Sequence, residues 1–166
     1  MRKLTIHSLA LTVLALFLTA ASAQGAVYNF QLQGLNTAEE SATGSVIAVT
    51  GDGIFDTIKD TVKATGSFTV YDSTGAVVSR GTWAATDFVS FDAGGGVNRG
   101  FQTGTLEIDI TLRPRGAAAI TGVLMTVHCD EDEVPGPSEP GNTDGTTVGP
   151  FTENAHGFTL FQLIHP

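Results

Sequence analysis

Hydrophobic and polar residues alternate along most of the chain that follows residue 26. In residues 27–33 and again in residues 105–112, every second side chain is apolar. The apolar positions of these two segments are Tyr28, Phe30, Leu32, Leu106, Ile108, Ile110 and Leu112. A period of two is typical of a β-strand with one face in the core and one face in water. The pattern therefore predicts an all-β protein.

Residues 66–91 show the same pattern on both sides of a turn, which predicts a β-hairpin. Asp72 suits the first position of a type I turn, and Gly75 provides the positive φ that closes it. The return strand carries Trp83, the single tryptophan of the chain. Gly81 precedes it by two positions, and a glycine inside a strand predicts either a bend or a place where a neighbouring ring packs over bare backbone.

Residues 53–62 are ambiguous, because Phe55, Ile58 and Val62 also have the spacing of a helix face. The segment is flanked by glycines and is too short to be a stable helix without tertiary support. We therefore expect a strand that ends near Asp56, a turn over residues 57–60, and a new strand from Thr61.

Three segments lack a strand pattern and are expected to be loops. Residues 35–44 are polar, residues 93–102 are rich in glycine, and residues 130–150 combine acids with proline and glycine. The last of these is too poor in apolar residues to form part of a core. Residues 157–164 are apolar again and predict a final strand that seals the sheet.

The predicted strands follow one another through short turns, so neighbours in sequence are expected to be neighbours in space. This arrangement is a single-domain antiparallel up-and-down meander of about eight strands. Long strands in meander order favour a closed or nearly closed barrel, since closure removes exposed edges. A two-layer β-sandwich is the alternative architecture.

The first 23 residues predict a cleaved signal peptide. Basic residues precede an apolar run, and small residues end in Ala23, where we expect cleavage. The run is too short to span a membrane, so no transmembrane segment is expected after cleavage, and the domain of residues 24–166 is expected to be secreted or periplasmic. Losing Arg2 and Lys3 changes the net charge from −9 to −11. Such acidity disfavours nucleic-acid binding.

Cys129 is the only cysteine, so an internal disulfide is excluded. It lies in a predicted strand over residues 119–129, on the apolar face, while His128 lies on the opposite face. A buried cysteine acting as a small hydrophobe explains this position. A reactive thiol or an intermolecular disulfide is the alternative.

The acidic loop contains oxygen ligands of the kind that calcium accepts. We regard Asp130, Asp132, Asn142 and Asp144 as candidates for a weak calcium site. Their spacing matches no EF-hand loop, and a solvated acidic loop explains the same residues. Apart from this calcium, no cofactor is predicted.

Asp87 and His128 are the candidate catalytic residues, although no nucleophile motif accompanies them. Asp87 lies between Trp83 and Phe88, and these three residues are the candidate ligand-binding group. A barrel interior could also bind a small apolar ligand, as in a lipocalin-like carrier. Its lining would be Phe68, Val70, Trp83, Leu106, Ile108 and Ile110, which also describes an ordinary packed core.

The sequence contains no strong catalytic signature, so it favours a non-enzymatic role. We expect an exported β-domain that binds a partner or associates with the cell envelope through its surface and loops. A carrier of a small apolar ligand is the alternative, and a hydrolase is the third hypothesis.

Overall fold

The computed structural model describes residues 25–98, 100–130 and 144–166. These residues form nine β-strands and no helix. The strands are β1 (Val27–Glu40), β2 (Ser45–Asp56), β3 (Thr61–Tyr71), β4 (Val77–Asn98), β5 (Phe101–Pro114), β6 (Ile120–Cys129), β7 (Gly145–Val148), β8 (Glu153–His156) and β9 (Thr159–His165). The all-β prediction is confirmed.

All nine strands belong to one antiparallel sheet. The strand order is β4-β3-β2-β1-β9-β5-β6-β7, and β8 pairs with β1. Because β4 also pairs with β5, strands β1 to β5 and β9 form a ring of six. Consecutive strands from β1 to β7 are neighbours, as the meander prediction requires. A ring of strands is compatible with both the barrel and the sandwich.

The last strand closes the ring, as predicted for residues 157–164. Strand β9 pairs with β1 along residues 27–32. On its other side it pairs with β5 through Phe101 and Gln102 alone. Beyond Gln102 that edge of β5 continues to β6, starting from the pair Gly104 and Cys129. Strand β5 therefore connects the ring to the β6–β7 extension.

The inner faces of the ring form one continuous core. The four apolar side chains predicted to face inward from β5 are at most 8% exposed. The largest side chains that are fully buried are Trp83, Phe30, Phe55 and Phe161. Cys129 is also buried and belongs to the same core, which confirms its expected position as a small buried hydrophobe.

Of the two alternatives for Gly81, the packing of a ring over bare backbone is the one that the structure shows. A Cβ atom at Gly81 would lie 2.9 Å from the Phe68 ring, so this ring packs directly over the glycine. Trp83 does the same over Gly66, where a Cβ would lie 2.4 Å from the indole nitrogen. That nitrogen donates a hydrogen bond to the Thr50 carbonyl at 3.0 Å. The glycines therefore make room for the two largest rings of this region.

The turn over residues 57–60 is also confirmed, because β2 ends at Asp56 and β3 begins at Thr61. The Asp56 carboxylate accepts hydrogen bonds from the Ile58 and Lys59 amides. It also accepts one from the Lys59 ammonium. These contacts hold the turn and exclude the helical interpretation.

The predicted loop at residues 35–44 is wrong for its first half. Strand β1 passes through an irregularity between Leu32 and Asn36 and then pairs with β2 up to Glu40. Gly34 adopts a positive φ of 66° at this irregularity. The following residues look polar in sequence, but Ala38 and Asn36 are completely buried. A bulge shifts the alternation, so the period of two no longer identifies the strand.

The other two predicted loops are shorter than expected. Strand β4 extends to Asn98 and β5 begins at Phe101, so most of residues 93–102 is strand. Within residues 130–150, strand β7 occupies Gly145–Val148 and pairs with β6. In both segments, neighbouring strands supply the backbone hydrogen bonds that make these residues part of the sheet. The local amino-acid composition does not reveal this pairing. Residues 131–143 lie outside the described part of the chain.

Candidate functional site

Asp87, Trp83 and Phe88 do not share one surface. Asp87 is exposed, Trp83 is buried, and Phe88 is half-buried against the core. Asp87 lies opposite Asp109 of β5, so two like charges are neighbours on the outer face. Trp83 and Phe88 instead belong to the interior packing. A ligand that contacts all three residues would have to reach both faces of β4.

His128 is held by Thr105 on the neighbouring strand. The Nδ1 atom of the half-buried imidazole lies 2.6 Å from the Thr105 hydroxyl. Strand β5 separates His128 from Asp87, whose partner Asp109 lies four positions along β5 from Thr105. At roughly 3.3 Å per residue this corresponds to about 13 Å along the strand. The structure therefore does not bring the two candidate catalytic residues together.

Aromatic rings fill one end of the ring of strands. Phe55 contacts Tyr28, Phe88 and Phe91, with ring centroids 4.8 to 6.1 Å apart. Phe161 of β9 meets Phe55 and Phe91 edge to face. Burial raises the pKa of the Tyr28 hydroxyl. These contacts have the geometry of a packed aromatic core.

The residues proposed as an apolar lining lie within the same core. Phe68, Trp83, Leu106, Ile108 and Ile110 are buried, and Val70 is partly buried against them. All of them belong to one cluster of buried hydrophobic side chains.

A hydrogen bond joins Asp130 to Asp144 within the acidic segment. The Asp130 amide donates a hydrogen bond of 2.6 Å to the Asp144 carboxylate, which is 1% exposed. Asp132 and Asn142 lie outside the described residues. In the part of the chain that is described, no three His, Cys, Asp or Glu side chains are placed to hold a metal. Calcium binding by the acidic segment stays a prediction.

A buried polar cluster next to these residues has no counterpart in the sequence analysis. The completely buried Asn36 donates to the Phe158 carbonyl and accepts from the Thr146 hydroxyl. Thr159 donates to the His128 carbonyl. Gly157 lies against Asn36, where a Cβ atom would come within 2.4 Å of the amide oxygen. The cluster ties β1, β6, β7 and β9 together, which is a structural role.

Three arginines gather at the end of the molecule where β5 finishes, and we call them the arginine end. Arg80, Arg113 and Arg115 are all exposed. Arg113 lies opposite Thr82, and the Arg115 amide donates to the Arg80 carbonyl at 2.9 Å. These contacts place the three residues on adjacent strand positions. An open groove of about 470 Å³ lies beside them, lined by Val77, Val78, Ser79, Arg80 and Arg115.

The arginine end forms only through strand pairing. Arg80 and Arg113 are 33 positions apart in sequence, and the pairing of β4 with β5 brings them close together. The run Arg113-Pro114-Arg115 is visible in the sequence, but its proximity to Arg80 is not. The two arginines at positions 113 and 115, close together in an otherwise acidic chain, are the sequence signal that could have indicated a basic surface here.

Comparison of the chain with protein-family models, curated proteins and solved structures gives no match. The described residues contain no helix with the length and apolar character needed to cross a membrane. Inferences about function therefore rest on the geometry of this chain.

Proposed function

We propose that the chain is an exported, non-enzymatic β-domain that binds a partner through its outer surface and loops. One observation carries this proposal: aromatic and aliphatic side chains of the strand ring pack together in one buried hydrophobic cluster. The exposed arginine end offers a groove on the outside. A packed interior favours interaction through the surface, whereas a carrier needs internal space.

Export of this domain depends on the leader of residues 1–23. Expression of the full sequence in a bacterium should yield a form outside the cytoplasm whose first residue is Gln24. N-terminal sequencing of that form tests the proposal. A chain that stays in the cytoplasm with Met1 intact would contradict export, while the surface-binding role would remain to be judged by its own measurements.

A carrier of a small apolar ligand is the second candidate, and the aromatic cluster around Phe55 is the feature that favours it. Organic extraction of the purified protein followed by mass spectrometry discriminates between the two. The surface-binding proposal expects no stoichiometric apolar compound. Recovery of one lipid or pigment per chain would establish the carrier instead. The separation of Asp87 from His128 gives no support to the hydrolase hypothesis.

A further inference from the structure

The charges of the arginine end are not balanced by neighbouring acids. Arg80 of β4 lies beside Arg115, which directly follows the end of β5, and like charges placed side by side in this way are destabilising. The single ion pair within residues 25–98, 100–130 and 144–166 joins Lys59 to Asp56. None of the three arginines therefore has a carboxylate within 4.0 Å among these residues.

Asp72 and Asp109, two of the acids near these arginines in sequence, are unsuited to neutralise them. One oxygen of Asp72 accepts hydrogen bonds from the Thr74 hydroxyl and from the Thr74 and Ala76 amides, so its carboxylate is engaged in its own turn. Asp109 lies four residues before Arg113 on β5. That is about 13 Å along the strand, which exceeds a Debye length of about 8 Å at physiological salt.

Two exposed valines also line the groove beside the arginines, and the groove borders a strand edge. Val77 and Val78 are 55% and 61% exposed. Pairing of β4 with β5 begins only at Gly81, so residues 77–79 pair with β3 alone. A register shift at Val78 and the nearby arginines are devices that protect an edge from aggregation. Protection of the edge does not explain why Val77 and Val78 are exposed.

We propose that the arginine end binds an acidic peptide segment of a partner protein, an inference that rests on the surface-binding function. Carboxylates of the peptide would pair with Arg80 and Arg115, which can each form bidentate hydrogen bonds. Its apolar side chains would cover Val77 and Val78. A short segment contacts only this end, whereas a nucleic acid or an anionic membrane would also meet the rest of an acidic surface.

Isothermal titration of the mature chain with the peptide Glu-Val-Glu-Val-Glu-Val tests the inference. Binding should weaken in high salt, and the double variant Arg80→Gln/Arg115→Gln should lower affinity about tenfold, because two charge-assisted contacts are lost. The same variant without peptide should unfold at a slightly higher temperature, since a like-charge repulsion is removed. A purely structural role of the two arginines would not produce both effects.

Two controls make the result specific. The peptide Gln-Val-Gln-Val-Gln-Val has the same length and the same apolar side chains but no charged side chain. Its affinity for the unsubstituted protein should be no higher than the affinity of Glu-Val-Glu-Val-Glu-Val for the double variant. Lys59→Gln/Lys63→Gln removes two charges elsewhere and should leave affinity unchanged.

Absence of binding, equal binding of both peptides, or an equal loss in the lysine variant would overturn the inference. None of these results affects the extraction test, which judges the surface-binding function itself. Preference of the arginine end for phosphatidylglycerol vesicles over the peptide would overturn the choice of a peptide partner.

Discussion

At the scale of single residues, Asn36 shows how a polar side chain can define a fold. It is completely buried, and its amide joins the end of β7 to the segment before β9. In sequence it stands in a polar stretch that resembles a loop. Burial of a polar group is tolerated only when hydrogen bonds compensate the loss of water, and those partners come from residues more than 100 positions away.

Asn36→Ala should lower the free energy of unfolding by about 1–3 kcal/mol, because it leaves buried partners without their hydrogen bonds. Urea denaturation followed by Trp83 fluorescence measures the change. Asn29→Ala is the matched control in the same strand, since Asn29 is half-buried and makes no hydrogen bond among the described side chains. Equal effects of the two substitutions would contradict the role given to Asn36.

Asp72 should make stability depend on pH. The hydrogen bond from the Thr74 hydroxyl, followed by those from the Ala76 and Thr74 amides, lowers the pKa of its carboxyl. A lowered pKa in the folded state stabilises the fold above the unfolded value of about 3.9, and this contribution is lost as the pH falls through the folded pKa. Thermal unfolding of Asp72→Asn should therefore show a smaller loss of stability below about pH 4. Identical acid profiles for both proteins would refute this.

Cys129 should be protected from thiol reagents, because it is 3% exposed and belongs to the core. Ellman's reagent should react slowly with the native protein and with one thiol per chain after denaturation in urea. This measurement separates the buried-cysteine interpretation from the reactive-thiol alternative. Rapid reaction under native conditions would support the latter.

At the scale of elements, β9 carries the closure of the ring. Its Phe161 is completely buried and packs edge to face on Phe55 and Phe91. Phe161→Ala should cost about 3–5 kcal/mol of stability, because a large cavity forms in the core. Gln162→Ala, at the exposed neighbouring position, should change stability by less than about 0.5 kcal/mol. Chemical denaturation of both variants checks the difference, and similar losses would argue against closure by β9.

Sequence patterns predict the elements well where local chemistry decides. The turn at residues 57–60 and the alternation in β5 follow from a capping carboxylate and a period of two. They fail at residues 35–40, because an irregularity in β1 shifts the alternation before the strand resumes its pairing with β2. Strand β7 is not predicted for a different reason, since its pairing with β6 is not visible in an acidic and glycine-rich sequence.

At the scale of the whole molecule, the sequence identifies individual candidate residues, but it does not show which of them lie together in space. Asp87, Trp83 and Phe88 are close in sequence, yet a register shift between Ala85 and Asp87 interrupts the alternation and places Asp87 on the face opposite to Trp83 and Phe88. Asp87 and His128 lie on strands separated by β5. The arginine end shows the opposite case, since the pairing of β4 with β5 brings together residues that are far apart in sequence. Spatial grouping is a property of topology.

Pairing of β1 with β9 also determines when the protein can finish folding. One edge of residues 27–32 pairs with β2, but the other edge finds its partners only in residues 159–165, so the ring stays open until those residues are present. Contacts of such long sequence separation form slowly. A chain that lacks residues 159–165 therefore cannot close the ring of strands.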